Sequence, residues 1–354
     1  MLIIDGSQGE GGGQVLRTSL SLSALTGQPF RIEKIRANRS RPGLRPQHLT
    51  AVRAVAELCQ AEMDGDQLES TALAFRPAVA PLGGEYNFDV AEASPSGKSA
   101  GAVTLILQAI LWPLTFAARP STIVIGGGTF VPFSPAYHYL AEVVRTALAA
   151  FGVEFETELL RWGWMAGGGG KIRVQVTPQG RLDGARFEAI DDVRVRGIAA
   201  VTNLPSHIPH RLARRAHKLL QEAGFEPVIE AVRERCNGPG AGIVLWRPQA
   251  GFSSLGRKGL PAEDVAQAAV AELLSFMDNG AAVDRYLADQ LLIPMALAHG
   301  QSSFTTDSIS RHLLTNVQLL RQWLGVSIEV QGEPSQFGRV TVTGIGYQPG
   351  QGRS

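Results

Sequence analysis

The chain has 354 residues, 44% hydrophobic and 18% charged, with a formal net charge of +1. This composition describes a soluble globular protein large enough for one large or two unequal domains. It excludes a surface built throughout to coat a polyanion, so any nucleic-acid contact must be local.

Residues 105–116 form the most apolar stretch, but Gln108 and Pro113 interrupt it and it falls short of membrane-spanning length. Leu2-Ile3-Ile4 reads as a strand at the very start, without a basic segment or apolar leader, so a cytoplasmic protein is expected. Cys59 and Cys236 lie far apart and point to a reducing compartment rather than a disulfide framework.

Residues 5–13 form a glycine-rich loop, and residues 14–25 follow as a helix. A loop of this kind opening a helix suits phosphate, although glycine-rich loops are common. Glu10 would repel phosphate there unless a divalent cation lay between them; a solvated turn glutamate is the plain alternative. Residues 30–35 alternate as a strand. Five arginines fall between Arg31 and Arg45, and the rigid Pro42-Gly43-Leu44 turn precedes a helix opening at Gln47-His48. Guanidinium forks match phosphate oxygens. Residues 68–75 and 86–90 read as the closing strand pair.

That order repeats. Residues 100–117 are helical, 121–125 form a strand, and 126–135 form a loop containing Ser134 and Pro135. Residues 137–151 are helical, and a strand pair follows at 153–159 and 171–177. A third copy runs from a helix at 282–298 through a strand at 302–306 and a helix after Arg311 to strands at 326–330 and 339–343. Such copies would bring the arginine loop, the Gly126–Thr129 loop and the His312 loop to one cleft. The expected division is a large domain from 1–181 and 278–345, an inserted small α/β domain at 182–277, and a tail at 346–354. The basic run 211–218 in the insert reads as a solvated helix face, with an accessory RNA role as the minor alternative.

Ser308 and Ser310 are capping residues. Leu313, Val317, Leu320 and Leu324 recur at helical spacing, and Gly325 can end the helix. His312 then lies in the first turn, where the helix dipole disfavours imidazolium. A neutral imidazole serves as nucleophile or base; taken alone, the stretch better describes a capping or half-buried histidine, and what else converges on His312 decides between them. Gly97-Lys98-Ser99 lacks the earlier glycine of a phosphate-binding P-loop. No Lys-x-Asp-Gly, Gly-x-Ser-x-Gly or spaced Cys/His zinc pattern occurs.

Residues 10–14 (Glu-Gly-Gly-Gly-Gln), Arg36-Ala37, Arg39, Arg41-Pro42-Gly43-Leu44, Gln47-His48-Leu49, Tyr286-Leu287-Ala288-Asp289-Gln290 and residues 312–316 (His-Leu-Leu-Thr-Asn) together resemble the RNA 3'-terminal phosphate cyclases, in order through nearly the whole chain. The resemblance implies an α/β (α+β) fold in which three repeated βαβαββ units form the large domain. It implies ATP-dependent conversion of an RNA 3'-phosphate to a 2',3'-cyclic phosphodiester, with His312 as the residue that takes up AMP. It assigns Gln108, Ser134, Pro135, Tyr286, Leu287, Ala288, Asp289 and Gln290 to ATP. It assigns Arg17, Arg36, Arg39, Gln47 and His48 to phosphate or RNA, and Glu10 to a divalent cation, Mg or Mn. Ala166 and the apolar Phe130-Val131 and Phe133 depart from the family's usual residues. The expected partners are ATP and RNA ending in a 3'-phosphate, with no membrane; a homodimer is left open. The alternative is a non-catalytic ribosomal-RNA-processing relative, which would lack the nucleophilic histidine. An enolpyruvyl transferase, built from related units, would use more of them and no such histidine.

Overall fold

A computed structural model of the protein describes residues 1–165 and 167–350. Ala166 and the end of the expected tail, 351–354, lie outside the described residues.

The first unit runs β1 (Leu2–Asp5), α1 (Gly13–Thr26), β2 (Phe30–Glu33), α2 (Pro46–Cys59), β3 (Glu62–Asp64) and β4 (Leu73–Arg76), with strand order β1-β2-β4-β3. The second runs β5 (Glu85–Asp89), α3 (Val103–Thr115) and β6 (Ser121–Gly127). Its next helix begins as α4 (Tyr137–Tyr139) and passes through a π-helical turn at Leu140–Val144 into α5 (Arg145–Ala149). It closes with β7 (Glu154–Arg161) and β8 (Gly170–Thr177), in the order β5-β6-β8-β7. In both units the first two strands are parallel and the hairpin is antiparallel. A parallel pair needs a crossover, and here a helix supplies it.

Next come β9 (Arg194–Thr202), α6 (His207–Glu222), β10 (Glu226–Glu234), β11 (Gly240–Arg247), β12 (Ala250–Leu255) and α7 (Ala262–Asn279). Their sheet, ordered β10-β9-β11-β12, buries its own apolar cluster, including Val201, Leu212, Leu245, Phe252 and Leu273. The third unit is α8 (Arg285–Leu297), β13 (His299–Thr306), α9 (Arg311–Leu324), β14 (Ser327–Gln331) and β15 (Gly338–Ile345), ordered β13-β15-β14. Its leading strand is reduced to one parallel bridge between Val283 and Thr306.

Two sequence expectations are corrected. Residues 86–90 do not close the first unit: β5 pairs in parallel with β6 and opens the second, while the short β3 completes the first hairpin. The three residues of β3, Glu-Met-Asp, are too few and too polar to show an alternating pattern. The second strand of the insert's hairpin, β12, also escaped notice, because its Ala-Gly-Phe-Ser-Ser-Leu sequence has little β-propensity.

Each large-domain sheet turns one face to water, as the alternating burial of β8 and β15 shows, and the helices gather on the other. Helix α1 packs on α2, α3 and α9, and α8 packs on α9. Helix α3 is apolar all round because it lies inside this assembly. Ile106, Leu107, Ala109, Ile110 and Leu114 are wholly buried, and each large aliphatic side chain so buried contributes about 1.5–3 kcal/mol. Its apolar surface therefore serves core rather than an interface.

Asp284 ties three parts together. It caps α8, accepting from the N–H groups of Tyr286 (2.7 Å) and Leu287 (2.9 Å), and also from Gly251 N–H of β12 (2.9 Å) and the Tyr139 hydroxyl (2.9 Å). Burial pushes its carboxyl up to about 7 despite these donors. Asp284→Ala strands the N–H groups of Leu287 and Gly251, both buried, and the part-buried one of Tyr286, so a loss of about 2–4 kcal/mol is expected. Urea denaturation measures it; a loss below about 0.5 kcal/mol would contradict this role for Asp284.

Candidate active site

Several strand-to-helix turns open onto one cleft of about 780 Å³. Glu10, Gln14 and Arg17 come from the β1–α1 loop and α1, and Arg36, Arg39, Gln47 and His48 from the β2–α2 loop and α2. The loop after Thr129 brings Phe130 to Ala136, and His312 and Asn316 come from α9. Gln108 of α3, with Tyr286, Asp289 and Gln290 of α8, completes the list of expected residues found at the cleft wall. Leu287 and Ala288 are the exceptions. Both are wholly buried with side chains in the helix core, so they position their neighbours instead of lining the cleft.

Ser310 caps α9 through its hydroxyl, which accepts from Leu313 N–H at 3.0 Å, and this sets His312 in the first turn. The glycine-rich loop packs directly against that turn. Gly9 has φ +59°, and a Cβ there would lie 1.9 Å from Thr315 Oγ1. The loop can therefore hand Glu10 and Gln14 to the histidine. His312 Nδ1–H donates to Gln14 Oε1 at 2.6 Å, since a carboxamide oxygen only accepts. Nε2 stands 2.9 Å from Glu10 Oε2, which also accepts from Arg39 Nη2 at 3.0 Å. Both ring nitrogens thus face oxygens. Burial lowers the His312 pKa; the Glu10 carboxylate opposes this, while Arg17 and Arg39 reinforce it.

Burial also sets the charges around this pair. It lifts Asp289 to about 7 against the attraction of Arg17, and lowers Arg17 itself to about 10. His48 is held neutral, with its pKa down to about 3 through burial and the cations of Arg36, Arg17 and Arg45. Its Nδ1 accepts from Arg45 N–H at 3.3 Å, which leaves Nε2–H directed toward Gly13. Gln47 accepts from Ala102 N–H at 2.7 Å and fixes the start of α3. Arg36 spends one guanidinium nitrogen on Arg41 O (2.6 Å) and Gly43 O (3.1 Å), bracing its own loop. At the other end, Gln108 Nε2 donates to Gln290 Oε1 at 2.9 Å, and Ser134 and Pro135 sit on a loop held by Thr104 Oγ1–H donating to Pro135 O at 2.9 Å.

Sequence reasoning missed several walls. Gln14 stands in the resembling motif at 10–14 and at the opening of a helix, but the sequence assigns it no role. Gly251, Ser253 and Leu255 of β12 and Glu272 of α7 bring the inserted segment to the cleft, and only tertiary packing reveals them.

Three repeated units around one cleft, two complete as βαβαββ and the third with its leading strand reduced to a bridge, with a histidine on a helix N-terminus paired to a carboxylate, define a class of repeated-unit α/β proteins. A family model described as RNA 3'-terminal phosphate cyclase matches residues 8–330. The RNA 3'-terminal phosphate cyclase of Gloeothece citriformis (strain PCC 7424) is 49% identical, covering 91% of this chain and 93% of its own. That of Methylococcus capsulatus (strain ATCC 33009 / NCIMB 11132 / Bath) is 43% identical over 97% of both chains. That of Pyrococcus furiosus (strain ATCC 43587 / DSM 3638 / JCM 8422 / Vc1) is 41% identical, covering 97% of this chain and 98% of its own. The chain belongs to the RNA 3'-terminal phosphate cyclase family. No helix among the described residues is long and apolar enough to cross a membrane.

Because the Glu10 carboxylate raises the His312 pKa against burial, Glu10→Gln should lower it further. A histidine NMR titration of the two proteins measures this, and a higher midpoint in the variant would contradict the pairing.

Proposed function

We propose that this protein is an ATP-dependent RNA 3'-phosphate cyclase that works through an adenylylated His312. The observation carrying the reading is the His312 imidazole, tied at Nδ1 to Gln14 and presented at Nε2 into a cleft whose wall holds Arg17, Arg36 and Arg39. An Nδ1–H tautomer keeps the lone pair on Nε2. That nitrogen attacks the α-phosphorus of ATP and expels pyrophosphate. AMP then passes from His312 to the RNA 3'-phosphate, and the vicinal 2'-hydroxyl attacks the activated phosphorus, closing the cyclic diester and releasing AMP. A phosphate dianion has no good leaving group of its own; adenylylation supplies one.

Glu10 fits a divalent cation, because its carboxylate stands at the cleft wall beside Arg39 and His312 and a magnesium-type ion needs only one or two protein carboxylates besides phosphate oxygens. Such an ion, when bound, would neutralise phosphoryl charge. Glu10 would hold that ion, while the Gln14 contact at Nδ1 keeps the lone pair of His312 on Nε2. Arg17 and Arg39 face the charge that builds on the phosphoryl oxygens. Gln108, Tyr286 and Gln290 face the nucleoside together with Ser134 and Pro135, and Asp289 attracts Arg17. Arg36, Gln47 and the neutral His48 form the end that receives the RNA 3'-phosphate.

The non-catalytic alternative lacks support here, since the histidine is present and poised. Incubation with α-labelled ATP and Mg or Mn should leave acid-labile label on the protein, and none on His312→Ala. Label persisting in that variant would remove His312 as nucleophile. A 3'-phosphorylated oligoribonucleotide should cyclise, while its 2'-deoxy-terminated twin should stop at the adenylylated end. Equal products from both would sink the last step.

A further inference from the structure

Four short segments of the chain, 94–101, 167–171, 235–241 and 256–260, hold Lys98, Lys171, Arg235, Arg257 and Lys258 and no Asp or Glu. The fold places them in series. Next to the cleft, a Cβ on Gly101 would lie 2.9 Å from the Cβ of Gln47. The chain of Ser99 then meets the β7–β8 turn, where a Cβ on Gly168 would lie 1.8 Å from Ser99 O. The same turn meets the insert, where a Cβ on Gly169 would lie 2.4 Å from Asn237 Nδ2. Gly256 N–H donates to Ala241 O at 2.8 Å, which brings the 256–260 turn alongside. The turn that carries it follows directly from β12, whose Ser253 and Leu255 line the cleft.

Lys98, Arg235, Arg257 and Lys258 are exposed, and among the described residues their side chains have no ion-pair or hydrogen-bond partner. The more obvious basic face, on α6, differs. There Arg211 forms a two-pronged pair with Glu263 (2.8 and 2.7 Å), Arg215 donates to Gln267 and Lys218 pairs with Glu222. Those three cations are occupied, and of that face's Arg and Lys side chains Arg214 alone is without a partner among the described residues. On a protein of net charge +1, unpaired cations outnumbering the acids beside them, of which Glu234 adjoins Arg235, form a local field that a polyanion would satisfy. The glycines supply backbone that a phosphodiester can approach closely.

We propose that this strip, from Gln47 across Lys98 and the Gly167–Gly170 turn to Arg257 and Lys258 of the insert, is a track for the single-stranded RNA upstream of the reacting 3'-phosphate. The proposal rests on the function proposed above, since an RNA end held at Gln47 and His48 must leave the cleft with its remaining phosphates. It gives the inserted segment a role in substrate length. Lysine and arginine contacts to a single strand are lost with rising salt at about 0.7 log unit of affinity per log unit of salt for each phosphate neutralised.

The test compares a 3'-phosphorylated dinucleotide with a 3'-phosphorylated 15-mer on the full-length protein. The wild type should show a lower KM for the 15-mer. Lys98→Glu with Lys258→Glu should raise the 15-mer KM by roughly tenfold or more and flatten its salt dependence. The dinucleotide KM and labelling of the protein by α-labelled ATP should not change, which also reports that the variant is folded. Equal KM values for the two lengths in the wild type, or equal losses on both in the variant, would overturn the track. Fluorescence anisotropy of the same oligoribonucleotides reads binding without turnover. Length-dependent binding without cyclisation would keep the track and overturn the proposed reaction. Equal competition by polyglutamate would reduce the strip to an unspecific anion surface and overturn it as an RNA site.

Discussion

The structure depends on the seating of the β1–α1 loop against the first turn of α9. Gly9 lies flat on Thr315, Gln14 and Glu10 reach His312, and Thr18 Oγ1–H donates to Asn316 at 3.0 Å. These contacts join the first unit to the third across almost the whole chain. A side chain at position 9 would need a strained left-handed backbone and would collide with α9. The tautomer, charge and direction of the histidine are therefore set by residues at the opposite end of the sequence.

The repeated unit explains why such a meeting is available. Each unit aims its strand-to-helix turns the same way, and the helices share one interior with α3 buried among them. Turns from separate copies consequently face one another around a common space. The copies have diverged in what they place there: a carboxylate and arginines from the first, an apolar loop from the second, and the histidine from the third. The third unit keeps only a vestige of its leading strand, and Asp284 takes up the adjacent position as a cap and junction.

The inserted segment is part of this arrangement. Gly251 N–H ends on Asp284, while Ser253, Leu255 and Glu272 reach the cleft. Its sheet also abuts the second unit through Trp164, whose ring lies against Gly240 and stacks on Phe130 with centroids 4.9 Å apart. The apolar residues after Thr129 thus support a seam between the insert and the cleft wall.

The sequence by itself determined the units, because helical spacing, Gly325 as a stop and Ser310 as a cap are local properties of contiguous residues. It also singled out Glu10 and the arginine loop in glycine- and proline-rich turns, and His312 behind a serine cap, residue types that are informative without coordinates. It misplaced residues 86–90, since a strand's partner is a long-range choice that alternation does not encode. It could not separate Leu287 and Ala288 from Tyr286, Asp289 and Gln290, because which face of α8 meets the cleft depends on the helices packed around it. Only the tertiary structure decided that Gln14 holds Nδ1 and that β12 and α7 close the cleft. Those are meetings between distant segments, and distance along the chain carries no record of them.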